Sequence, residues 1–247
     1  MKALILAAGY ATRLYPLTLE TPKTLLEVGG KPIVEYILNK IEEVKEVDEV
    51  YVVTNNKFYG HFEKWKENYD GKIKIVNDMT NNNEDRLGAV GDIGFVVKKE
   101  KIEDDLMVIA GDNLFDYSLE TLYTHFIEKK GSVVAVRTLD DRKNAAGKYG
   151  IVDFDNKNRI INFEEKPEYP KTNFAATACY IFSRKDVPQL EECIKEKDNP
   201  DNLGEFINWL HVKTNVYGFV FDEDWFDIGS KEDLLNVRAI MNNMKGN

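Results

Sequence analysis

The sequence predicts an α/β fold: a single-domain, Rossmann-like three-layer sandwich with a mostly parallel central sheet and a smaller β-rich part. Three observations predict it. Residues 3–8 and 106–110 are uninterrupted apolar runs ending at Gly9 and Gly111, as strands buried on both faces do. Between such runs lie segments with apolar residues at helical spacing, as in Ile33, Ile37, Ile41 and Val44. The alternation of the two kinds of segment puts helices on both faces of a parallel sheet.

In chain order, the strand at 3–8 is followed by a long polar connection over 9–31, and Pro32 is expected as the first residue of a helix. Residues 50–53 form the next strand. Phe58, Phe62 and Trp65 mark an amphipathic helix, and residues 73–76 a third strand. A very polar loop over 77–86 precedes a helix over 87–97 and the strand 106–110. The second half is less regular. Strands are expected at 132–136, 151–154, 160–163, 176–182 and 216–221, with a hairpin turn at 155–158. Ser230 to Asp233 reads as a capping box opening the last helix, with Asp in place of the usual Glu. No repeat, low-complexity tract or linker interrupts the chain, so residues 1–247 are read as one domain.

Of the 247 residues, 43% are hydrophobic, enough for a substantial core. A net charge of −10 argues against nucleic acid or an anionic membrane as partner. Small phosphorylated ligands remain open, because a few convergent cations suffice for them. Cys179 and Cys193 form neither a disulfide framework nor a metal pattern and read as reduced thiols. The apolar run after Lys2 is too short for a secretion signal, and no stretch approaches the roughly 18 apolar residues of a membrane span. The expectation is a soluble, cytoplasmic protein.

In open α/β sheets, ligands bind beyond the carboxyl ends of the strands. Three segments fall there: the loop from Gly9, the turn Gly111-Asp112-Asn113, and Trp225-Phe226-Asp227-Ile228-Gly229. Gly9 after a buried strand lets backbone N–H groups approach phosphate oxygens, and Arg13 and Lys23 add cations to the same connection. Spacing excludes two familiar alternatives. A dinucleotide fingerprint needs glycines where Ala11 and Leu14 stand, and no G-x-x-x-x-G-K-[ST] occurs. Asp112 and Asp227, at neighbouring strand ends, suit Mg²⁺, which prefers one or two carboxylates plus phosphate oxygens and water.

The run from Lys2 to Pro32 resembles the N-terminal signature of the sugar-1-phosphate nucleotidyltransferase superfamily, which includes glucose-1-phosphate thymidylyl- and uridylyltransferases. Its pattern, G-x-G-T-R-L-x-P-x-T followed by P-K, is met by Gly9, Thr12, Arg13, Leu14, Pro16, Thr18, Pro22 and Lys23. The resemblance implies transfer of a nucleoside monophosphate from a nucleoside triphosphate to a sugar 1-phosphate, with release of pyrophosphate. By the same resemblance, Arg13 and Lys23 are catalytic, and Ala8, Gly9 and Thr12 contact the nucleotide. Asp112 and Asp227 become Mg²⁺ ligands. The nucleotide-binding part would span about 1–115 and the acceptor-binding part about 116–230.

Phe163-Glu164-Glu165-Lys166-Pro167 resembles the family's E-E-K-P element, which implies sugar-hydroxyl contacts by Glu165 and acceptor-phosphate binding by Lys166. Tyr149, Gly150, Asn173 and Thr177 resemble further acceptor positions. The match departs from the pattern in two places. Ala11 stands where many members have a second glycine, and Arg86 lies where a small residue is expected before Gly88. Asn77 is expected to read a base edge through its amide, with Gly88 close to the nucleotide. The second departure leaves the base open and admits cytidylyltransferases for choline phosphate or a polyol phosphate. A non-catalytic nucleotide-sugar-binding subunit is the other alternative, although the Arg, Lys and Asp set is intact. The chain is expected to lack the C-terminal extension of some relatives, and a homo-oligomer remains open.

Overall fold

The computed structural model describes residues 1–197 and 200–245. The first half supplies β1 (Lys2–Leu6), β2 (Glu27–Val28), β3 (Lys31–Pro32), α1 (Ile33–Ile41), β4 (Glu49–Thr54), α2 (Tyr59–Lys66), β5 (Ile73–Asn77), α3 (Gly88–Glu100), β6 (Leu106–Ala110) and β7 (Asn113–Phe115). Pro32 caps α1 rather than opening it. It pairs with Glu27 in the β2–β3 ladder, and its extended ψ of 144° delays the first helical residue to Ile33. The helix expected over 87–97 begins at Gly88 and runs on to Glu100.

The second half supplies α4 (Leu119–Lys129), β8 (Ser132–Thr138), β9 (Ile151–Phe154), β10 (Ile160–Glu164), β11 (Phe174–Phe182), α5 (Gln189–Glu196), α6 (Leu203–Leu210), β12 (Val216–Phe221), β13 (Trp225–Asp227) and α7 (Lys231–Lys245). The helices α4, α5 and α6 have no counterpart among the elements expected from the sequence. The capping box before α7 forms with altered partners. The Asp233 N–H donates to Ser230 Oγ at 3.2 Å, and the serine hydroxyl donates to the Asp233 carboxylate at 2.6 Å.

β5, β4, β1 and β6 lie side by side and parallel. β11 continues the sheet antiparallel to β6, β8 pairs antiparallel with β11, and β12 lies parallel to β8. The β9–β10 hairpin joins β11 at Ala175. The register of β11 shifts between Ala176 and Tyr180, where Ala178 takes a φ of 53°.

Alternate residues of the central strands feed two cores, although their sequences are apolar throughout. Leu4, Val53, Val76 and Val108 pack with Val90, Ile93 and Val96 of α3 and Phe206 and Ile207 of α6. Ala3, Ile5, Val52 and Ile109 pack with Ile37 and Ile41 of α1, Phe62 of α2 and Leu122 of α4. Helices on both faces of one sheet make the three-layer sandwich. Among the described residues, no helix is long and apolar enough to cross a membrane.

Candidate active site

A cleft of about 810 Å³ crosses the carboxyl ends of the strands. Sheet order fixes its layout: Asp78 follows β5, Gly9 follows β1, Asp112 follows β6, and Thr177 lies in the β11 bulge. The cleft thus has a β5 end, a centre at β1 and β6, and a far end at β10 and β11.

The first loop is anchored before it turns. The Ala7 N–H donates to Val53 O at 2.8 Å, and Asn55 Nδ2 donates to Ala8 O at 2.8 Å. Gly9 borders the cleft, and a Cβ added there would meet nothing within 4 Å. Its missing side chain therefore leaves open space over the backbone, the room a phosphate needs. Ala11 sits in the left-handed region at φ 49° and ψ 46°. It starts the short turn Thr12–Leu14, which turns Arg13 toward the cleft while Thr12 stays outside it.

At the centre, Lys23 Nζ donates to Asp112 Oδ2 at 2.5 Å and to Ile228 O at 3.2 Å. Asn113 Nδ2 donates to Asp112 Oδ1 at 2.8 Å, and Trp225 Nε1 donates to Asn113 Oδ1 at 2.6 Å. Asp227 lies opposite Asn113 in the β7–β13 ladder, and the Ile228 N–H donates to Asp112 O at 3.0 Å. Two loops remote in sequence thus bring Asp112 and Asp227 together. Burial disfavours the charged form of Asp112, but the Lys23 ammonium and the Asn113 amide outweigh it and hold the carboxyl below its usual range. Burial, reinforced by the negative charge of Asp112, pushes Asp227 up to about 6.

Lys23 pairs with Asp112, and among the described residues Asp227 has no cation within ion-pair distance, so the two carboxyls are short of positive charge. Among the described residues, no three His, Cys, Asp or Glu side chains gather as a metal cage. That donor set fits Mg²⁺, whose remaining positions go to phosphate and water.

At the far end, Glu165 lies against Gly150 and Gly204. A Cβ on Gly204 would collide with the Glu165 carboxylate, and one on Gly150 with the Phe163 ring. Burial raises the Glu165 carboxyl above its usual range. The Lys166 N–H donates to Tyr149 O at 3.2 Å, and Lys166 Nζ stands 3.7 Å from Glu165 Oε1. The Tyr149 ring packs edge-on to Trp225, with centroids 4.9 Å apart. Thr177 borders the cleft, and its hydroxyl donates to Ala135 O at 3.1 Å. Asn173, expected at the acceptor end, does not border the cleft; its amide donates to Leu139 O at 2.7 Å as a strand-edge clamp.

At the β5 end, Asn77, expected to read a base edge, turns away from the cleft. Its Nδ2 donates to Asn56 Oδ1 at 2.8 Å, its Oδ1 accepts from the Met79 N–H at 2.8 Å, and it does not border the cleft. Asp78 and Asp92 border it instead. Gly88 is required by both conformation and space: its φ is +74°, and a Cβ would press within 2.9 Å of the Asp201 backbone. The departure at Arg86 has a partner, since its Nη2 donates to Asp201 Oδ2 at 3.0 Å, and the Ala89 N–H donates to Asp201 O at 2.8 Å. The sequence reading missed Asp92, Asp201 and Gly204. Asp92 alone had a local signal, as a carboxyl on the apolar side of a helix beside Ile93.

The chain resembles known proteins along its whole length. It is 32% identical over 251 residues to the bifunctional protein GlmU of Methanococcus aeolicus, covering 99% of this chain and 56% of that protein. With GlmU of Methanocaldococcus jannaschii the identity is 30%, covering 98% of this chain and 54% of the relative. The chain thus spans about half the length of these curated relatives. In fold it matches a crystal structure of UDP-glucose pyrophosphorylase complexed with UDP-glucose, at a TM-score of 0.83 and 20% identity, covering 98% of each chain. The profile of the nucleotidyl transferase family matches residues 2–243, and the chain belongs to that family.

Proposed function

We propose that the protein is a Mg²⁺-dependent sugar-1-phosphate nucleotidyltransferase, converting a nucleoside triphosphate and a sugar 1-phosphate into a nucleotide sugar and pyrophosphate. The observation that carries this reading is the meeting of Lys23, Asp112 and Asp227 midway along one cleft. Arg13 and the open backbone at Gly9 lie nearby, and Glu165 and Lys166 stand at the far end. That is a centre for joining two anions.

In this reading, an oxygen of the acceptor phosphate attacks the α-phosphorus in line. A new P–O bond forms, the bond to the β-phosphate oxygen breaks, and its electrons leave with pyrophosphate. A phosphate monoester is already an anionic nucleophile near neutral pH, so no general base is needed. Positioning and charge neutralisation supply the catalysis. Arg13 takes the β- and γ-phosphates and Lys23 the charge developing at the α-phosphate. Lys166 holds the acceptor phosphate, and Glu165 accepts from sugar hydroxyls. Mg²⁺ held by Asp112 and Asp227 would supply further charge neutralisation between the two substrates.

The nucleotide-binding part at about 1–115 and the acceptor-binding part at about 116–230 then share one sheet and divide the cleft between them. The buried free thiols Cys179 and Cys193 are compatible with a reducing cytoplasm.

The test is pyrophosphate release by purified protein. ATP, GTP, CTP, UTP and dTTP are crossed with several sugar 1-phosphates, with and without Mg²⁺. One acceptor-dependent, metal-dependent pair is expected. Turnover only with CTP and choline phosphate or a polyol phosphate replaces the acceptor class. Silence throughout, with tight binding of a nucleotide sugar, replaces the enzyme with a binding subunit.

A further inference from the structure

We propose that Asp78 and Asp92 form the nucleobase-reading pair of the cleft and select guanine. The proposal rests on the nucleotidyltransferase reading, which puts the triphosphate over Gly9 and the acceptor beside Glu165 and Lys166. The nucleoside then extends toward the β5 end. Both carboxyls border the cleft there, one just beyond β5 and the other in the second turn of α3. Asp78 is 4% exposed and Asp92 7% exposed, an unusual depth for two acidic side chains without a cation.

Their hydrogen bonds are incomplete in one sense only. The Thr80 N–H and hydroxyl donate to Asp78 Oδ1 at 2.7 and 2.9 Å. Asp92 Oδ1 is buried with no partner among the described residues. Arg86, the cation between them in sequence, is engaged with Asp201. Burial first, then the charge of Asp78 and a hydrogen bond to it, raise Asp92 to about 8. At neutral pH Asp92 therefore keeps its proton and donates it to Asp78. With that proton held inside the pair, what it offers a ligand is acceptor oxygen alone.

A base that completes the pair must bring N–H donors. Guanine presents two side by side, N1–H and the N2 amino group. Uracil and thymine present a single N3–H between two carbonyl oxygens, which would face carboxyl oxygens. Adenine and cytosine offer one amino group next to a ring-nitrogen acceptor. A site with a buried, unpaired acceptor discriminates strongly, because the wrong base leaves Asp92 Oδ1 unsatisfied.

The experiment is calorimetric titration of the whole chain with the Mg²⁺ complexes of GTP, ITP, UTP, dTTP, CTP and ATP. GTP is expected to bind at least about tenfold tighter than UTP or dTTP. ITP, which keeps N1–H but lacks the 2-amino group, is expected to fall between them. Asp92→Asn and Asp78→Asn should each shrink the GTP-to-UTP ratio by about fivefold or more. UTP or dTTP binding as tightly as GTP, or ITP equalling GTP, overturns the proposal, and neither comparison needs a variant to fold. An overturned preference in a protein that still releases pyrophosphate leaves the reaction class standing. Failure to bind any triphosphate removes both.

Discussion

Lys23 and Asp112, far apart in sequence, meet at 2.5 Å, and the same ammonium reaches Ile228 O at 3.2 Å. One lysine therefore ties the loop after β1 to the turn after β6 and to the strand end that carries Asp227. Removing it should cost both chemistry and stability. Lys23→Met is expected to lower turnover by about 10³-fold or more, the scale of cationic stabilisers in phosphoryl transfer. It also leaves the Asp112 carboxylate without its counter-charge. Complete burial would make that loss about 3–5 kcal/mol, and the partial exposure of both side chains reduces it to roughly 1–3 kcal/mol. Urea denaturation beside steady-state rates checks both. Asp112→Asn and Arg13→Ala should fold and be nearly inactive, and near-normal turnover in either would remove it from the catalytic set.

Ala11 explains a departure that the sequence could only note. At φ 49° it occupies the conformation that glycine adopts freely and alanine adopts at a cost of about 1–2 kcal/mol. Ala11→Gly should relieve that strain, less the entropy glycine loses on folding, for a net gain of roughly 0.5–1 kcal/mol. A higher midpoint in thermal or urea unfolding, with turnover unchanged, is the expected result. Ala11→Val, β-branched in the same backbone, should move the midpoint the other way.

The parallel half of the fold was legible because its strands are short apolar runs, two of which, 3–8 and 106–110, end at glycine. The helices α4, α5 and α6 were not read. Two of them are eight residues long, too short for periodicity to separate from a buried strand, and their N-caps are not all polar: Asn202 caps α6, but Pro188 precedes α5. The centre of the cleft was legible as motif, since Lys23, Asp112 and Asp227 each sit in a recognisable turn. The base end was not. Asn77 and Asp78 are adjacent in sequence, and only the turn after β5 decides that the aspartate borders the cleft. Gly204 was invisible for a similar reason, because what it touches is Glu165, far away along the chain.

That contact makes Gly204 a specific probe of the acceptor end. A methyl group there must displace the Glu165 carboxylate and press on Phe163. Overpacking of this kind costs about 1–3 kcal/mol. Gly204→Ala is expected to raise the KM for the acceptor by about tenfold while leaving the nucleotide Kd within about twofold. A parallel loss of nucleotide affinity would mean that the substitution disturbs the whole cleft, and Glu165 would lose its assignment to the acceptor.

Asp92 predicts the pH dependence of stability. Its folded value of about 8 lies far above the ordinary carboxyl value of 3.8, raised by burial and then by the charge of Asp78, which is itself pushed up by burial. Between those values the native state holds a proton that the unfolded chain has released. Stability must therefore fall as pH rises from about 4 and level off once the pH passes about 8. The slope is at most about 1.4 kcal/mol per pH unit for one proton. Asp92→Asn keeps a donor toward Asp78 and removes the titration. Urea midpoints from pH 5 to 9 should decline in the parent protein and lose most of that decline in the variant. Parallel curves for the two proteins would show that Asp92 is ionised throughout this range, and the proton that masks Asp78 would then have no source.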